Sequence, residues 1–297
     1  MPLFFPLSVD SEFRPIKAVL LHLPSKEVEG PVNPRHALYA RKVFHKGLVE
    51  ELKCLAGAYG ALGIRVFFIE TRNARSPGGY LYNLMYVRDI FFPTPFGAML
   101  SRMFHEIRRP EVKAAENALR GMGANIRRGV LGRATFEGAD ALWIKNDLVA
   151  IGVGKRTNME GFLQIKEALA PFGVRCAMLP APGAALHLLG AIQFVSHDAA
   201  LVRHEIVGPE VLGFLRHHGI NIIRVPENDE VRDMHAMNIV TVAPLSIIMH
   251  DECPATERVF RRSGVRIITK VKARELCAGG GGIACATGVL ARERFFC

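Results

Sequence analysis

Four short stretches place polar side chains inside apolar surroundings, and together they hold the residue types that nucleophilic catalysis needs. They are centred on Asp89, on Glu137 with Asp140, on His187 and on Cys285. A Cys supplies a nucleophile and a His a general acid and base, and such groups are commonly assembled from distant parts of a chain. Ordinary acyl transfer does not need two carboxylates, but they suit a planar cation with several N–H donors, such as a guanidinium.

Each stretch taken alone also fits a structural role. Arg88 and Asp89 could form an ion pair at the mouth of an apolar strand, and residues 136–140 could be a surface turn. His187 could be a satisfied core residue, and Cys285 a buried thiol behind a flexible glycine loop. Buried charge is costly unless it is paired. Two acids, a His and a Cys therefore favour a catalytic site over four unrelated features.

The bulk composition is that of an ordinary globular protein. The chain has 297 residues, of which 49% are hydrophobic and 22% charged, so a large core is expected and bulk disorder is not. No apolar run is long enough to cross a bilayer, and the first residues lack the basic region of a signal peptide, so a cytoplasmic location and no membrane partner are expected. The net charge of +10 would attract anions, but the basic residues are spread out and lack interleaved aromatics. Nucleic acid is therefore not the expected partner.

The cysteines and glycines do not form the usual metal or nucleotide motifs. None of the six cysteines has C-x-x-C spacing, and His250 with Cys253 is a lone H-x-x-C. The run Gly279–Gly282 does not fit G-x-G-x-x-G, and there is no P-loop pattern. No metal and no organic cofactor are predicted, and the thiols are expected to be reduced.

The elements that must position these residues alternate between short β-rich runs and amphipathic segments. Strands are predicted over 18–23, 64–69, 90–92, 148–153, 192–196, 200–202, 220–225, 238–243, 246–250 and 265–269. Helices are predicted over 37–61, 110–121, 159–170, 209–218 and 254–263. A unit of strand, strand, helix and strand recurs at roughly 50 residues, which favours small repeated α/β modules over a doubly wound sheet. We expect one domain over residues 1–297.

Several motifs resemble those of the guanidino-group-modifying superfamily, which includes arginine deiminases, dimethylarginine dimethylaminohydrolases, agmatine deiminases and amidinotransferases. The resemblance extends from about residue 18 to residue 290. The motifs are Asn83-x-x-Tyr86-x-Arg88-Asp89, Arg108-Arg109-Pro110-Glu111, Glu137-Gly138-Ala139-Asp140, Arg156-Thr157-Asn158, Leu186-His187-Leu188 and Gly281-Gly282-x-x-Cys285-x-Thr287. The first is similar to the N-x-x-F-x-R-D of arginine deiminases, and the fourth to the R-T-N of the dimethylarginine enzymes.

This resemblance implies a five-bladed α/β propeller of pseudo-fivefold ββαβ modules and a role for eight residues. It assigns catalysis to Cys285, His187, Glu137 and Asp89, and substrate binding to Asn83, Arg108, Arg156 and Asp140. The thiolate would attack the guanidinium carbon, and His187 would act first as acid and then as base. Glu137 and Asp89 would hold the guanidinium nitrogens, and the two arginines would hold an α-carboxylate. The implied function is a citrulline-forming hydrolase of arginine or an Nω-methylated arginine.

Two departures from the arginine deiminase pattern bear on the substrate. Leu189 stands where arginine deiminases carry an Asp, which resembles the dimethylarginine enzymes, and the Arg that often precedes the nucleophile is missing. An amidinotransferase using the same four residues remains an alternative. A non-catalytic ribosome- or RNA-binding propeller, which is a different class of protein, also remains an alternative, and the net charge would suit it. The sequence leaves a homodimer open.

Overall fold

The computed structural model describes residues 7–30, 33–71, 75–76, 79–127 and 129–294, and within them the chain forms five three-stranded sheets. The order of neighbouring strands is β17-β1-β2 in one sheet and β5-β6-β7, β8-β9-β10, β11-β12-β13 and β14-β15-β16 in the other four. A separate two-stranded sheet contains β3 and β4. The strands are β1 Ile16–Leu21, β2 Arg65–Phe68, β3 Arg75–Ser76, β4 Gly79–Tyr80, β5 Phe91–Thr94, β6 Gly97–Leu100, β7 Ile126–Arg127, β8 Ala141–Lys145, β9 Leu148–Val153, β10 Arg175–Pro180, β11 Ile192–Phe194, β12 Ala199–Arg203, β13 Asn221–Val225, β14 Val240–Ala243, β15 Ser246–His250, β16 Arg266–Val271 and β17 Gly288–Arg292.

Each three-stranded sheet repeats one ββαβ module. The first strand pairs antiparallel with the second, and the second pairs parallel with the third, as in β8, β9 and β10. A parallel pair needs a crossover connection, and a helix supplies it in every module. The architecture is therefore the five-bladed α/β propeller that the repeat and the resemblance predict.

The module nearest the two ends of the chain is assembled from both of them. Its first strand, β17, comes from residues 288–292 and pairs antiparallel with β1. β1 then pairs parallel with β2, and the helix over His45–Ala61 connects these two strands. This pairing closes the ring of blades, and it links the segment just before β17 to the rest of the ring.

The crossover helices bury one apolar stripe against their own sheet. The α-helices are α1 His45–Ala61, α2 Val87–Ile90, α3 Arg109–Gly121, α4 Met159–Leu169, α5 Pro209–His217, α6 Asp229–Arg232, α7 Pro254–Arg262, α8 Arg274–Ala278 and α9 Ile283–Ala286. In α4, Phe162, Ile165 and Leu169 recur at helical spacing and are buried in the cluster that contains Trp143. The Asn158 side chain caps this helix by accepting a hydrogen bond of 2.8 Å from the Gly161 N–H.

The predicted elements are present, and the structure adds several that the periodicity did not show. Residues 37–61 were predicted as one helix, but α1 begins only at His45 and a short 3₁₀ turn occupies 34–37. Strands β6, β8, β10 and β17 were not predicted. Gly97 begins β6 with φ of +134°, and an added Cβ there would lie 2.6 Å from the Asn125 carbonyl oxygen.

No helix in the described part of the chain is long and apolar enough to span a membrane.

Gly161 provides a test of how tightly the helices pack on their blades. An added Cβ would lie 1.9 Å from the Thr135 carbonyl oxygen, a backbone atom that cannot rotate away. Gly161→Ala should therefore lower the free energy of unfolding by roughly 2–4 kcal/mol, as overpacking and backbone shifts do. Gly213→Ala in α5 is the matched control, because nothing lies within 4 Å of its added Cβ. It should be neutral or stabilise by up to about 1 kcal/mol. Urea denaturation of both variants measures the difference, and equal effects would contradict the packing.

Candidate functional site

A cavity of about 560 Å³ brings most of the predicted site residues together. Of the eight, six line it: Asn83, Asp89, Arg108, Arg156, His187 and Cys285. Glu137 is fully buried and lies behind His187, and Asp140 is 1% exposed. The constellation that spans about two thirds of the chain in sequence therefore converges on one place.

The repeat explains the convergence. In every blade, a turn just before the first strand carries one polar residue toward the centre of the ring. These residues are Asp89 before β5, Glu137 before β8, His187 before β11, Asn238 before β14 and Cys285 before β17. The turns contact one another, since the turn at 138–140 packs against both α2 and the turn at 188–190, and α9 packs against α2. The five blades thus supply two carboxylates, an imidazole, an amide and a thiol from comparable positions.

His187 lies between two carboxylates. Its Nε2 is 2.6 Å from Glu137 Oε2, and its Nδ1 is 3.7 Å from Asp89 Oδ1. A carboxylate only accepts hydrogen bonds, so an imidazole facing one on each side is best satisfied when both nitrogens carry a proton. The geometry therefore favours the imidazolium form.

The pKa values of this group follow from that arrangement. Burial alone would lower the pKa of His187, but the charges of Asp89, Asp140 and Glu137 raise it to about 9. Burial would raise the pKa of Glu137, yet the hydrogen bond and charge of His187, with Arg108 and Arg156, lower it to about 2. At neutral pH the pair is an ion pair, and His187 holds a proton that it can donate.

Arg108 holds Asp89 from the other side. Its Nη1 donates to Asp89 Oδ2 at 2.7 Å, its Nε donates to Glu111 Oε2 at 2.9 Å, and its Nη2 donates to the Asn83 carbonyl at 3.2 Å. Burial raises the pKa of Glu111 to about 7, with the Arg108 charge opposing the shift. Most of this guanidinium is therefore engaged by the protein, although it still lines the cavity. Its predicted contact with a substrate carboxylate stays a prediction.

Asp89 keeps one oxygen free of the protein. Its Oδ1 is buried and has no hydrogen-bond partner among the described residues, while Oδ2 is bound by Arg108. A buried carboxylate oxygen without a donor is costly unless a ligand supplies one. Asp89 lines the cavity, so its carboxylate is placed to pair with a cationic ligand.

Asn238 holds the segment that carries Cys285. Its Oδ1 accepts from the backbone N–H groups of Ala284 and Cys285 at 2.7 and 3.1 Å, and its Nδ2 donates to the Cys285 sulfur at 3.0 Å. The sequence analysis assigned Asn238 only to the start of a strand. The position of each polar residue before the first strand of its blade could have identified it.

The glycines before Cys285 are required by close packing. A Cβ on Gly279 would lie 2.2 Å from the Tyr86 hydroxyl oxygen, and one on Gly281 would lie 2.5 Å from the Tyr86 ring. A Cβ on Gly282 would lie 2.7 Å from Asn238 Oδ1. Tyr86 is fixed by donating its hydroxyl to the Leu276 carbonyl at 2.7 Å. The run therefore lets the nucleophile segment lie directly on its neighbours rather than forming a flexible loop.

Cys285 is a protonated thiol in the free protein at neutral pH. Burial and then the negative charge of Asp89 raise its pKa to about 11, while the Gly282 backbone hydrogen bond, Asn238 and Arg108 oppose this. The charge that raises the Cys285 pKa is thus that of Asp89, the carboxylate that a cationic ligand would neutralise. A bound cation at Asp89 would favour the thiolate.

Arg156 lines the cavity, and its guanidinium has no side-chain hydrogen bond within the described part of the chain. Its side chain is 11% exposed, and its buried Nη1 lies 3.6 Å from Glu137 Oε1 without a hydrogen-bond partner among the described residues. Farther along the wall, Arg203 is bound by both oxygens of Glu227 at 2.7 and 2.8 Å. Arg156 is therefore the better-placed donor for an anionic group on a ligand. Neither Arg203 nor Glu227 was identified from the sequence.

Two further predicted residues have protein partners that support the site. Asp140 accepts from Thr157 Oγ1 at 2.7 Å and from the Leu188 N–H at 3.1 Å, and burial raises its pKa to about 6. It fixes the turn after His187, and its predicted contact with substrate is not favoured by this geometry. Asn83 lines the cavity but donates its amide to the Ala37 carbonyl at 2.8 Å.

Comparison with known proteins shows the family and the fold of the chain. The family model described as arginine deiminase matches residues 80–217 and 209–292. The N(G),N(G)-dimethylarginine dimethylaminohydrolase of Streptomyces coelicolor is 28% identical over 191 residues, which are 64% of this chain and 69% of that protein. Among solved structures, the dimethylarginine dimethylaminohydrolase of Pseudomonas aeruginosa complexed with citrulline aligns with a TM-score of 0.74 at 20% identity, covering 94% and 100% of the two chains. The inosamine-phosphate amidinotransferase of Streptomyces griseus aligns with a TM-score of 0.77 at 18% identity, covering 98% of each.

The ion pair between His187 and Glu137 can be tested by titration. In the wild type the His187 imidazolium should titrate near pH 9, and in Glu137→Gln its pKa should fall by roughly one to two units, since a charge-assisted hydrogen bond is lost. Two-dimensional NMR of the imidazole nitrogens measures it. The pair stabilises the fold fully between pH 4.5 and 6.5, and this contribution declines as pH rises through about 9 or falls through about 2.

His22 serves as the internal control for that titration. It is buried far from these acids in sequence, and burial lowers its pKa to about 4, with its bond to the Ile69 carbonyl opposing. Glu137→Gln should leave this low pKa unchanged. An unshifted His187 in the variant would show that Glu137 does not hold its proton.

Proposed function

Because the chain belongs to the arginine deiminase family, we propose that it is a single-domain hydrolase that attacks the guanidinium carbon of arginine or an Nω-methylated arginine and forms citrulline. The observation that carries the proposal is the shared cavity of Cys285, His187 and Asp89, with His187 held in its charged form by Glu137. Nucleophile, proton donor and cation acceptor are the three groups that the reaction needs.

The cavity lining offers a carboxylate to a guanidinium and a guanidinium to a carboxylate. The unpartnered Oδ1 of Asp89 would accept N–H groups of the guanidinium. Glu137 could add a second acceptor only if its bond to His187 opened, so in this geometry its main part is to charge His187. Arg156, with its free Nη1, would bind the α-carboxylate, which favours an amino-acid substrate over agmatine.

Substrate binding would activate the nucleophile. The guanidinium neutralises Asp89, the charge that helps to keep the Cys285 pKa near 11, and adds a positive charge beside the sulfur. The thiol then loses its proton to solvent. The thiolate adds to the guanidinium carbon and forms the new C–S bond, while Asn238 holds the segment in place.

His187 would handle both proton transfers. As imidazolium it donates a proton to the departing nitrogen, and the C–N bond breaks to release ammonia or a methylamine, leaving a covalent thiouronium adduct. The neutral imidazole then accepts a proton from water, which adds to the same carbon. Collapse of that intermediate breaks the C–S bond, releases citrulline and returns the Cys285 thiolate.

Leu189 supports a substrate with an alkylated guanidinium. It is 5% exposed, lines the cavity and follows His187 by two residues, at the position where the resembling arginine deiminases carry an Asp. A Leu side chain offers no acceptor for an unsubstituted N–H but packs favourably on a methyl group. We therefore favour Nω-methylated arginine over arginine as the substrate.

Replacement of Cys285 tests the reaction directly. Cys285→Ser should lower kcat for citrulline formation by at least about 10³-fold, because the nucleophile is removed, and leave substrate binding largely intact. Citrulline assays with arginine, monomethylarginine, asymmetric dimethylarginine and agmatine measure turnover, and calorimetry measures binding. The exposed Cys54→Ser is the matched control and should keep full activity. Full activity of Cys285→Ser would refute the nucleophile. A guanidino product formed from added glycine, in place of citrulline, would identify amidino transfer.

Replacement of Leu189 tests the substrate preference. In Leu189→Asp the new carboxylate can accept N–H groups of arginine but meets a methyl group in the methylated substrate. The ratio of kcat/KM for arginine to that for asymmetric dimethylarginine should rise by at least about tenfold, the value of one hydrogen bond to a charged group. Leu189→Ile is the volume-matched control and should leave the ratio within about threefold. An unchanged ratio in Leu189→Asp would show that this position does not select the substrate.

A further inference from the structure

A second cluster of polar groups lies outside the cavity, in the turn between β15 and α7. It consists of His250, Asp251 and Glu252, whose ligand atoms all lie within 4.8 Å of one another. None of the three lines the cavity of the proposed active site. The cluster therefore needs an explanation of its own.

His250 is oriented as a metal ligand would be. It is 3% exposed, and its Nδ1 lies 3.1 Å from the Met234 carbonyl, which can only accept a hydrogen bond. Nδ1 is therefore the donor of this bond, which leaves Nε2 as the ring nitrogen available to a ligand. A backbone carbonyl that fixes the tautomer in this way is the usual outer partner of a ligating His.

The side of His250 that faces the acids has no hydrogen bond. Its Nε2 has no partner among the described residues and lies 4.0 Å from Glu252 Oε2, too far for a hydrogen bond. Asp251 Oδ1 is likewise buried without a partner. A buried imidazole nitrogen and a buried carboxylate oxygen without partners are costly, and a bound cation would satisfy both.

We propose that His250, Asp251 and Glu252 bind a divalent first-row transition metal ion, with Zn²⁺ as the representative. An imidazole nitrogen with two carboxylate oxygens suits Zn²⁺, Co²⁺ or Mn²⁺, whereas Ca²⁺ and Mg²⁺ prefer oxygen alone. Metal–ligand bonds of about 2.0–2.2 Å span ligand atoms up to ~4.4 Å apart, so small side-chain rotations bring the three atoms into range. Water completes the coordination.

Cys253 is not part of this site, although the H-x-x-C spacing suggests it. Its sulfur lies 3.8 Å from His250 Nδ1, the nitrogen that already donates to Met234. The proposed ligands are therefore three consecutive residues, and the H-x-x-C pair does not form the site.

Arg274 competes with the metal for Glu252. Its Nε donates to Glu252 Oε2 at 2.5 Å and its Nη2 to Oε1, but its side chain is 70% exposed and free to rotate away. An exposed ion pair of this kind contributes little to stability. Removing Arg274 should therefore tighten metal binding rather than abolish it.

Calorimetric titration with Zn²⁺ tests the site in a background that removes the active-site ligands. Asp89, Glu137 and His187 could also hold a metal, so the parent is the full chain carrying His187→Asn and Cys285→Ser. The parent should bind Zn²⁺ at one site per chain. Adding His250→Asn, which keeps a donor for the Met234 carbonyl, or Asp251→Asn should weaken binding at least about tenfold. Adding Arg274→Gln should tighten it roughly threefold to tenfold.

The controls separate loss of the site from loss of the fold. His197→Asn changes an exposed His beside Asp198 and should bind Zn²⁺ as the parent does. Circular dichroism melts show whether each variant is folded, and if His250→Asn or Asp251→Asn unfolds, the gain in Arg274→Gln decides. A parent that binds no Zn²⁺, or ligand variants that bind it like the parent, would overturn the proposal.

Discussion

The structure depends on buried side chains of opposite charge that pair with one another where the blades meet. Asp89 is central, because it accepts from Arg108 on one side and faces His187 on the other. His187 in turn is held by Glu137. Removing a single member would leave its partners buried and unpaired, which costs far more than the interaction itself contributes. The network therefore fixes how the central turns approach one another, and it leaves one oxygen of Asp89, a residue that lines the cavity, without a hydrogen bond.

The repeat determines where in the chain the residues of the site occur. Each blade delivers one residue from the turn before its first strand, so a fivefold scaffold yields an asymmetric site of two acids, an imidazole, an amide and a thiol. The blade that carries Cys285 is completed only when β17 pairs with β1. Cys285 is thus held by the same pairing that closes the ring, and Asn238 from the neighbouring blade holds its segment by further hydrogen bonds.

The sequence predicted the architecture and the chemistry better than it predicted the roles of single residues. Strand β9 was predicted at 148–153 because its apolar run is bounded by turns, whereas β8 at 141–145 was missed because it directly follows a polar motif. Glu137 was predicted to contact substrate, but it lies behind His187, since a motif shows which residues are present and not which side chain stands in front. Asn238 was missed because its contacts are to backbone groups about 46 residues away, which no local pattern reveals.

The proposed reaction requires a thiol that is inert until the right cation arrives, and the free protein has this property for a physical reason. Burial and the charge of Asp89 both oppose ionisation of Cys285, and of these only the charge of Asp89 can be cancelled by a ligand. A neutral molecule in the cavity would leave the thiol protonated, and an anion would raise its pKa further. Selection for a guanidinium therefore takes place at ionisation of the nucleophile as well as at binding. The same carboxylate that recognises the substrate controls whether the sulfur can react with it.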